Sequence, residues 1–328
     1  MPLGEFALIG RYFQRSVLEQ AGGHAAVALG IGDDAALLQP APGCQWVIST
    51  DSLVQGVHFP EQYAPDDLGY RALAVAVSDL AAMAARPLGF TLALTLPEID
   101  EPWLQSFSDG LAQCAVDHRI SLIGGDTTRG PLNIGISVFG EVAVGQALRR
   151  SGAQPGDLLC VGGPLGDGAG GLAVVTEQVL PQALRPAERD YLRARFWRPR
   201  AQCELGLALA GVASAGLDVS DGLLQDAGHL AAASGLALHL CSEDVPCSTA
   251  LLAWPAAQRQ AWMLRGGDDY VLLFTLPAQQ AGQLDHWRQQ GWPVSVIGRA
   301  QAGAGVWLDG QPVAGAGGYQ HFKESADG

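Results

Sequence analysis

The sequence predicts an α/β (α+β) protein of two domains, and three observations carry that prediction. Its 328 residues are enough for about two domains of ordinary size. Apolar residues at strand and helix spacing alternate through both halves of the chain. Between the halves, the polar and turn-rich run 145–157 interrupts the periodicity. It predicts an N-terminal domain over 1–148, a mixed sheet with helices, and a C-terminal α/β domain over 149–328.

Taken in order, the spacing predicts a helix near 5–20, strands near 45–51 and 89–96, and helices near 66–85 and 100–118. Strands near 120–125 and 132–144 complete the first half. A strand near 157–161, helices near 168–180, 187–197 and 200–213, and a strand near 215–220 open the second half. A helix near 222–234, strands near 236–241 and 270–276, a helix near 277–290 and short strands near 294–313 close it.

Composition narrows the function. Thirty-three acidic residues against 19 basic ones give a net charge of −14, which opposes a phosphate-backbone grip on nucleic acid. Lys323 is the only lysine, so a Walker lysine or a Schiff base is excluded from the folded body. If the protein handles phosphate, the neutralising charge comes from arginines, backbone N–H groups or metal ions. Six scattered cysteines without a C-x-x-C pair read as reduced thiols. With neither a signal peptide nor a membrane span visible, a cytoplasmic enzyme or binding protein is expected.

One pattern recurs: a short apolar strand runs into small residues and then an aspartate. It appears at Ile31–Asp34, Val47–Asp51, Leu122–Asp126 and Leu217–Asp221. Each alone reads as turn chemistry; four together point to a shared site at strand carboxyl ends. Ser49, Thr50 and Asp51 form the hard-oxygen set that Mg²⁺ prefers. Asp79 falls on an apolar helix face, where a carboxylate needs either a metal or a distant arginine such as Arg129. Ser220 and Asp221 read equally as N-caps of the following helix or as ligands beside Asp218. Gly166–Gly171 matches G-x-G-x-x-G, which keeps a dinucleotide-binding oxidoreductase as an alternative from another class. The acid that such a site expects about 20 residues on lacks a strand to carry it.

The ordered blocks Gly30–Ala36, Ser49–Asp51 with His58-Phe59, Ser78–Ala81, Gly124–Gly130, Asp218–Leu223, Gly267–Tyr270 and Gly318-Tyr319 resemble the bacterial thiamine-monophosphate kinases, relatives of aminoimidazole ribonucleotide synthetase. The resemblance runs nearly end to end. It implies transfer of the γ-phosphoryl group of ATP to thiamine monophosphate in thiamine diphosphate biosynthesis, with several Mg²⁺ ions and no general base. Another ATP-dependent synthetase of the same superfamily is the nearest alternative.

The resemblance also implies roles for single positions. Asp34, Ser49, Thr50, Asp51, Asp79, Asp126, Asp218 and Asp221 would ligate metal. Gly125, Asp126, Arg150 and Ser220 would contact ATP, and His58, Asp268 and Tyr319 thiamine monophosphate. Homodimers paired through the N-terminal domain, with the active site in a cleft between domains, are expected. The chain departs from the family in carrying Asp268 and Val271 where Gly-Gly-Glu-Asp-Tyr-Glu is usual. Charge agrees with the metals: ATP and a monophosphate add about six negative charges to those of the aspartates, so divalent cations are needed for the substrates to meet.

Overall fold

The computed structural model describes residues 5–23, 26–178 and 180–313. Helices α1 (Glu5–Leu8) and α2 (Ser16–Glu19) precede strands β1 (Val27–Leu29), β2 (Leu37–Leu38) and β3 (Cys44–Val54), helix α3 (Pro65–Ala82) and strand β4 (Arg86–Leu96). Helix α4 (Glu101–His118), strands β5 (Ser121–Arg129), β6 (Asn133–Ala143) and β7 (Leu158–Val161), and helices α5 (Asp167–Val175), α6 (Pro186–Trp197) and α7 (Cys203–Leu209) follow. Then come β8 (Ala215–Asp218), α8 (Leu223–Ser234), β9 (Ala237–Leu240), α9 (Ala256–Arg265), β10 (Leu272–Leu276), α10 (Gly282–Gln289), β11 (Ser295–Gln301), β12 (Gly305–Leu308) and β13 (Gln311–Pro312). No helix among the described residues is long and apolar enough to cross a membrane.

The chain divides into two compact units, Met1–Leu148 with Trp197–Gly211, and Arg149–Phe196 with Val212–Gly328. The first holds a four-stranded mixed sheet in the order β3-β6-β4-β5, in which only β4 and β5 run parallel. Residues Ile134, Ile136 and Val138 of β6 and Phe90, Leu92 and Leu94 of β4 alternate onto one buried face, which α3 covers. A period of two on the strands and a largely buried α3 therefore build one core from two patterns.

A single cut at 148/149 leaves out the return of 197–211 to the first unit. Arg198 bonds Asp66 and Asp67, each at 2.7 Å, and its guanidinium lies 5.2 Å from the Tyr70 ring centroid. Gly206 lets α7 approach so closely that a Cβ there would stand 2.3 Å from the Ala81 carbonyl oxygen.

The second unit is built on a seven-stranded sheet ordered β13-β12-β9-β11-β7-β10-β8, antiparallel throughout except between β12 and β9. Leu159, Val161, Leu217, Leu238, Leu273 and Ile297 of its strands share a core with Leu223, Leu224, Ala227 and Leu230 of α8.

Local structure departs from expectation in several places. The helix expected over 5–20 breaks into α1, a π-helical turn over Ile9–Phe13 and α2, because Arg15 is extended. That over 168–180 stops at Val175, and that over 200–213 shrinks to Cys203–Leu209. The run 277–290 splits into a 3₁₀ turn, Ala278–Gln280, and α10. Short elements without a full period, β1 and β2, escaped the sequence reading, as did α9.

Candidate active site

In the first unit, the pleat of β3 sorts the candidate ligands onto two faces. Ser49 and Asp51 pair with Val138 and Ile136 of β6, on the face that α3 covers. The Ser49 hydroxyl donates to a carboxylate oxygen of Asp79 in the last turn of α3. That turn contains no basic residue, and helix carbonyls there already concentrate negative charge. Ser49, Asp51 and Asp79 offer only hydroxyl and carboxylate oxygens, the donor chemistry that fits Mg²⁺. Asp79 is half-buried rather than fully buried, and Arg129 donates its Nε to the Pro97 carbonyl.

Thr50 points the other way. Its hydroxyl lies 2.8 Å from that of Ser137 on the face opposite α3. Register carries one row from Ser52 through Gly135 and Ala93 to Asp126, which puts Asp126 on that same open face. Three strand spacings, about 14 Å, separate the backbones of β3 and β5. Within one chain, the sheet thus keeps Asp126 apart from Asp51. Both lie inside their strands, whereas the sequence pattern had placed them at strand ends. Gly125 occupies the row of Asp51, with its backbone against Leu92 of β4. Asp34 stands in the exposed connection between β1 and β2, its N–H on the Asp33 carboxylate at 2.8 Å. His58 accepts the Val54 N–H at Nδ1, 3.0 Å away, which leaves the neutral ring's proton on Nε2 and makes that nitrogen a donor.

In the second unit, Asp218 ends β8, and the connection to α8 wraps a carboxylate that the sequence reading missed. One oxygen of Asp226 accepts the N–H groups of Ser220, Asp221 and Gly222 at 3.1–3.2 Å. This corrects the N-cap reading: Gly222 is the N-cap, without a side-chain cap, and Asp226 does the work expected of Ser220 or Asp221. Burial, followed by the charges of Asp221 and Asp218, pushes the Asp226 carboxyl up to about 7. His229 lies one helical turn on, and ligand atoms of Asp221, Asp226 and His229 fall within 4.8 Å of one another. The i, i+3 spacing of Asp226 and His229 was the available signal. Arg150 is exposed, and its carbonyl accepts the Ser234 hydroxyl at 3.0 Å.

Asp268 lies against this connection. Its N–H donates to the Ser220 carbonyl at 2.9 Å, and Tyr270 OH donates to its carboxylate at 2.9 Å. Tyr319 lies outside the described residues.

Gly166–Gly171 acquires a different meaning. The N–H groups of Gly166 and Gly168, which a dinucleotide pyrophosphate would need, donate to the two oxygens of Asp269 at 2.7 and 2.9 Å. A Cβ on Gly168 would come within 2.5 Å of the Asp268 backbone. These glycines allow close packing, with the chain's own carboxylate in the anion position.

The chain matches the family model for AIR synthase related protein, N-terminal domain, over residues 32–142, and the corresponding C-terminal domain over 154–309. The thiamine-monophosphate kinase of Salmonella typhimurium is 45% identical, the alignment covering 98% of this chain and 99% of that protein. The Escherichia coli K12 enzyme is 44% identical over the same shares. The chain belongs to the thiamine-monophosphate kinase family. The crystal structure of a family member from Stenotrophomonas maltophilia K279a superposes with a TM-score of 0.86 at 46% identity, covering 95% of this chain and 99% of that one. AaThiL complexed with AMPPCP and TMP gives 0.78 at 30% identity, covering 98% and 99%. A hydrogenase maturation protein, HypE, in complex with ATP shares the fold alone, at 0.71 and 19% identity.

Proposed function

We propose that this chain transfers the γ-phosphoryl group of ATP to the phosphate of thiamine monophosphate, releasing thiamine diphosphate and ADP. The observation that carries the reading is its end-to-end likeness to a kinase structure that holds AMPPCP and TMP. A phosphate monoester has its second pKa near about 6 and is already an anionic nucleophile at neutral pH. No base need remove a proton. One phosphate oxygen attacks the γ-phosphorus as the bond to the β,γ-bridging oxygen breaks, and ADP leaves in line. The protein's part is to align two anions and exclude water.

Asp34, Ser49, Thr50, Asp51, Asp79 and Asp126 of the first unit, with Asp218 and Asp221 of the second, hold Mg²⁺ in this reading. Bound there, the ions would neutralise the charge that spreads over the transferred group. Gly125, Arg150 and Ser220 serve ATP; His58, Asp268 and Tyr319 serve thiamine monophosphate. A cytoplasmic location suits both substrates.

The reading includes a homodimer joined through the open faces of the four-stranded sheets. Ile48 is 60% exposed on that face, and the separation of Asp126 from Asp51 gives pairing a purpose. Pairing about a two-fold axis would apply the open face that carries Thr50 and Asp126 to the same face of a second copy. The activity test is incubation with ATP, Mg²⁺ and thiamine monophosphate, with and without chelator. Formation of thiamine diphosphate and ADP only without chelator is expected; no product from folded protein refutes the reading.

A further inference from the structure

Asp269 is 1% exposed and has no assigned part in the proposed chemistry. Both carboxylate oxygens are nevertheless committed, one to the Gly166 N–H and one to the Gly168 N–H, while the Asp269 carbonyl accepts from Arg195 Nη2 at 2.9 Å. On either side, Asp268 and Tyr270 adopt left-handed backbone, with φ of 66° and 52°. Non-glycine residues reach that region at a cost, so alternate positions there persist only where the surroundings over-determine them. Asp269 supplies that constraint. It pins the middle of the turn to the α5 loop, while the N–H groups of Asp268 and Tyr270 fasten its edges to Ser220 and Val219.

We propose that Asp269 is a positioning residue for the reaction: by anchoring the turn to Gly166 and Gly168, it aims the Asp268 carboxylate, and through it sets affinity for thiamine monophosphate. This rests on the reading that Asp268 serves that substrate. The shorter acid makes the anchoring matter more, because Asp268 has one methylene less than the usual glutamate with which to correct a misplaced backbone.

Asparagine at 269 would turn its amide nitrogen toward one of the two glycine N–H groups and lose that bond. Loss of about one hydrogen bond corresponds to roughly a tenfold effect. Steady-state kinetics of the full-length protein should therefore show Asp269→Asn raising the KM for thiamine monophosphate about tenfold, with kcat and the KM for ATP within about twofold. In an Asp268→Asn background, the same change should raise it no further, since both act through one carboxylate. A rise in both KM values together, a loss of kcat alone, or an additive effect in the double variant overturns the proposal. If Asp268→Asn itself leaves the KM for thiamine monophosphate unchanged, the assignment of Asp268 falls instead. Should Asp269→Asn not fold, Arg195→Gln removes the bond to the Asp269 carbonyl together with the 3.8 Å ion pair between Arg195 Nε and Asp167. It should move the same KM in the same direction, and an unchanged value overturns the proposal.

Discussion

Ser49 donates its hydroxyl to Asp79, joining the middle of β3 to the last turn of α3. A strand hydroxyl is thereby held beside a carboxylate whose helix end disfavours negative charge. Asp79→Asn should lower kcat/KM by at least about a hundredfold, the scale of removing a group that organises transition-state charge. Thermal melting in EDTA should stay level or rise by the equivalent of about 0.5 kcal/mol, since a charge that the helix terminus disfavours is gone. Activity near normal with a lowered melting temperature would make the pair structural.

Asp51 and Asp126 lie on opposite edge strands of one sheet. If two copies complete each other's sites, Asp51→Ala and Asp126→Ala proteins should each be inactive. After mixing and subunit exchange they should regain up to about a quarter of wild-type activity, the share expected when random pairing leaves one intact site per mixed dimer. No recovery in dimers shown by mass to be mixed would confine each site to one chain.

Asp226 carries a carboxyl pushed up to about 7, chiefly by burial. Because the folded value lies above the ordinary 3.8, its neutral form contributes stability that is full below about pH 4 and lost as pH rises through 7. Melting in EDTA should therefore fall between pH 5 and 8. Asp226→Asn should flatten that slope, as one amide oxygen can still accept the three N–H groups. An unchanged slope in the variant would assign the pH dependence elsewhere.

Arg198 fastens the returning segment to α3 through Asp66, Asp67 and Tyr70. With a third of its side chain exposed, solvent screens the pair. Arg198→Ala should therefore cost about 1–2 kcal/mol in urea titration rather than the larger value of a buried pair. An effect below about 0.3 kcal/mol would show that apolar contacts of α7 suffice.

Long periodic segments were legible because burial imposes their period: α3, α4, β4 and β6 lie where alternation and helical spacing placed them. Asp51, Asp79, Asp126 and Asp218 announced themselves as acids in apolar or glycine-rich company. What they touch was not legible, since a run such as Ser49-Thr50-Asp51 looks like three ligands together, yet the pleat turns its middle member to the other face. Asp226 and Asp269 were hidden for a related reason: their partners are backbone N–H groups, which every sequence contains.

By itself, then, the sequence determined the two-part α/β architecture, the family and the identity of the acids, because these follow from periodicity, spacing and ordered motifs along the chain. Only the tertiary structure decided which acids share a face, which turn is anchored and whose carboxylate fills the glycine loop. Those depend on strand register and on backbone groups brought together over a hundred residues, where hydrogen-bond geometry, rather than residue type, selects the partner.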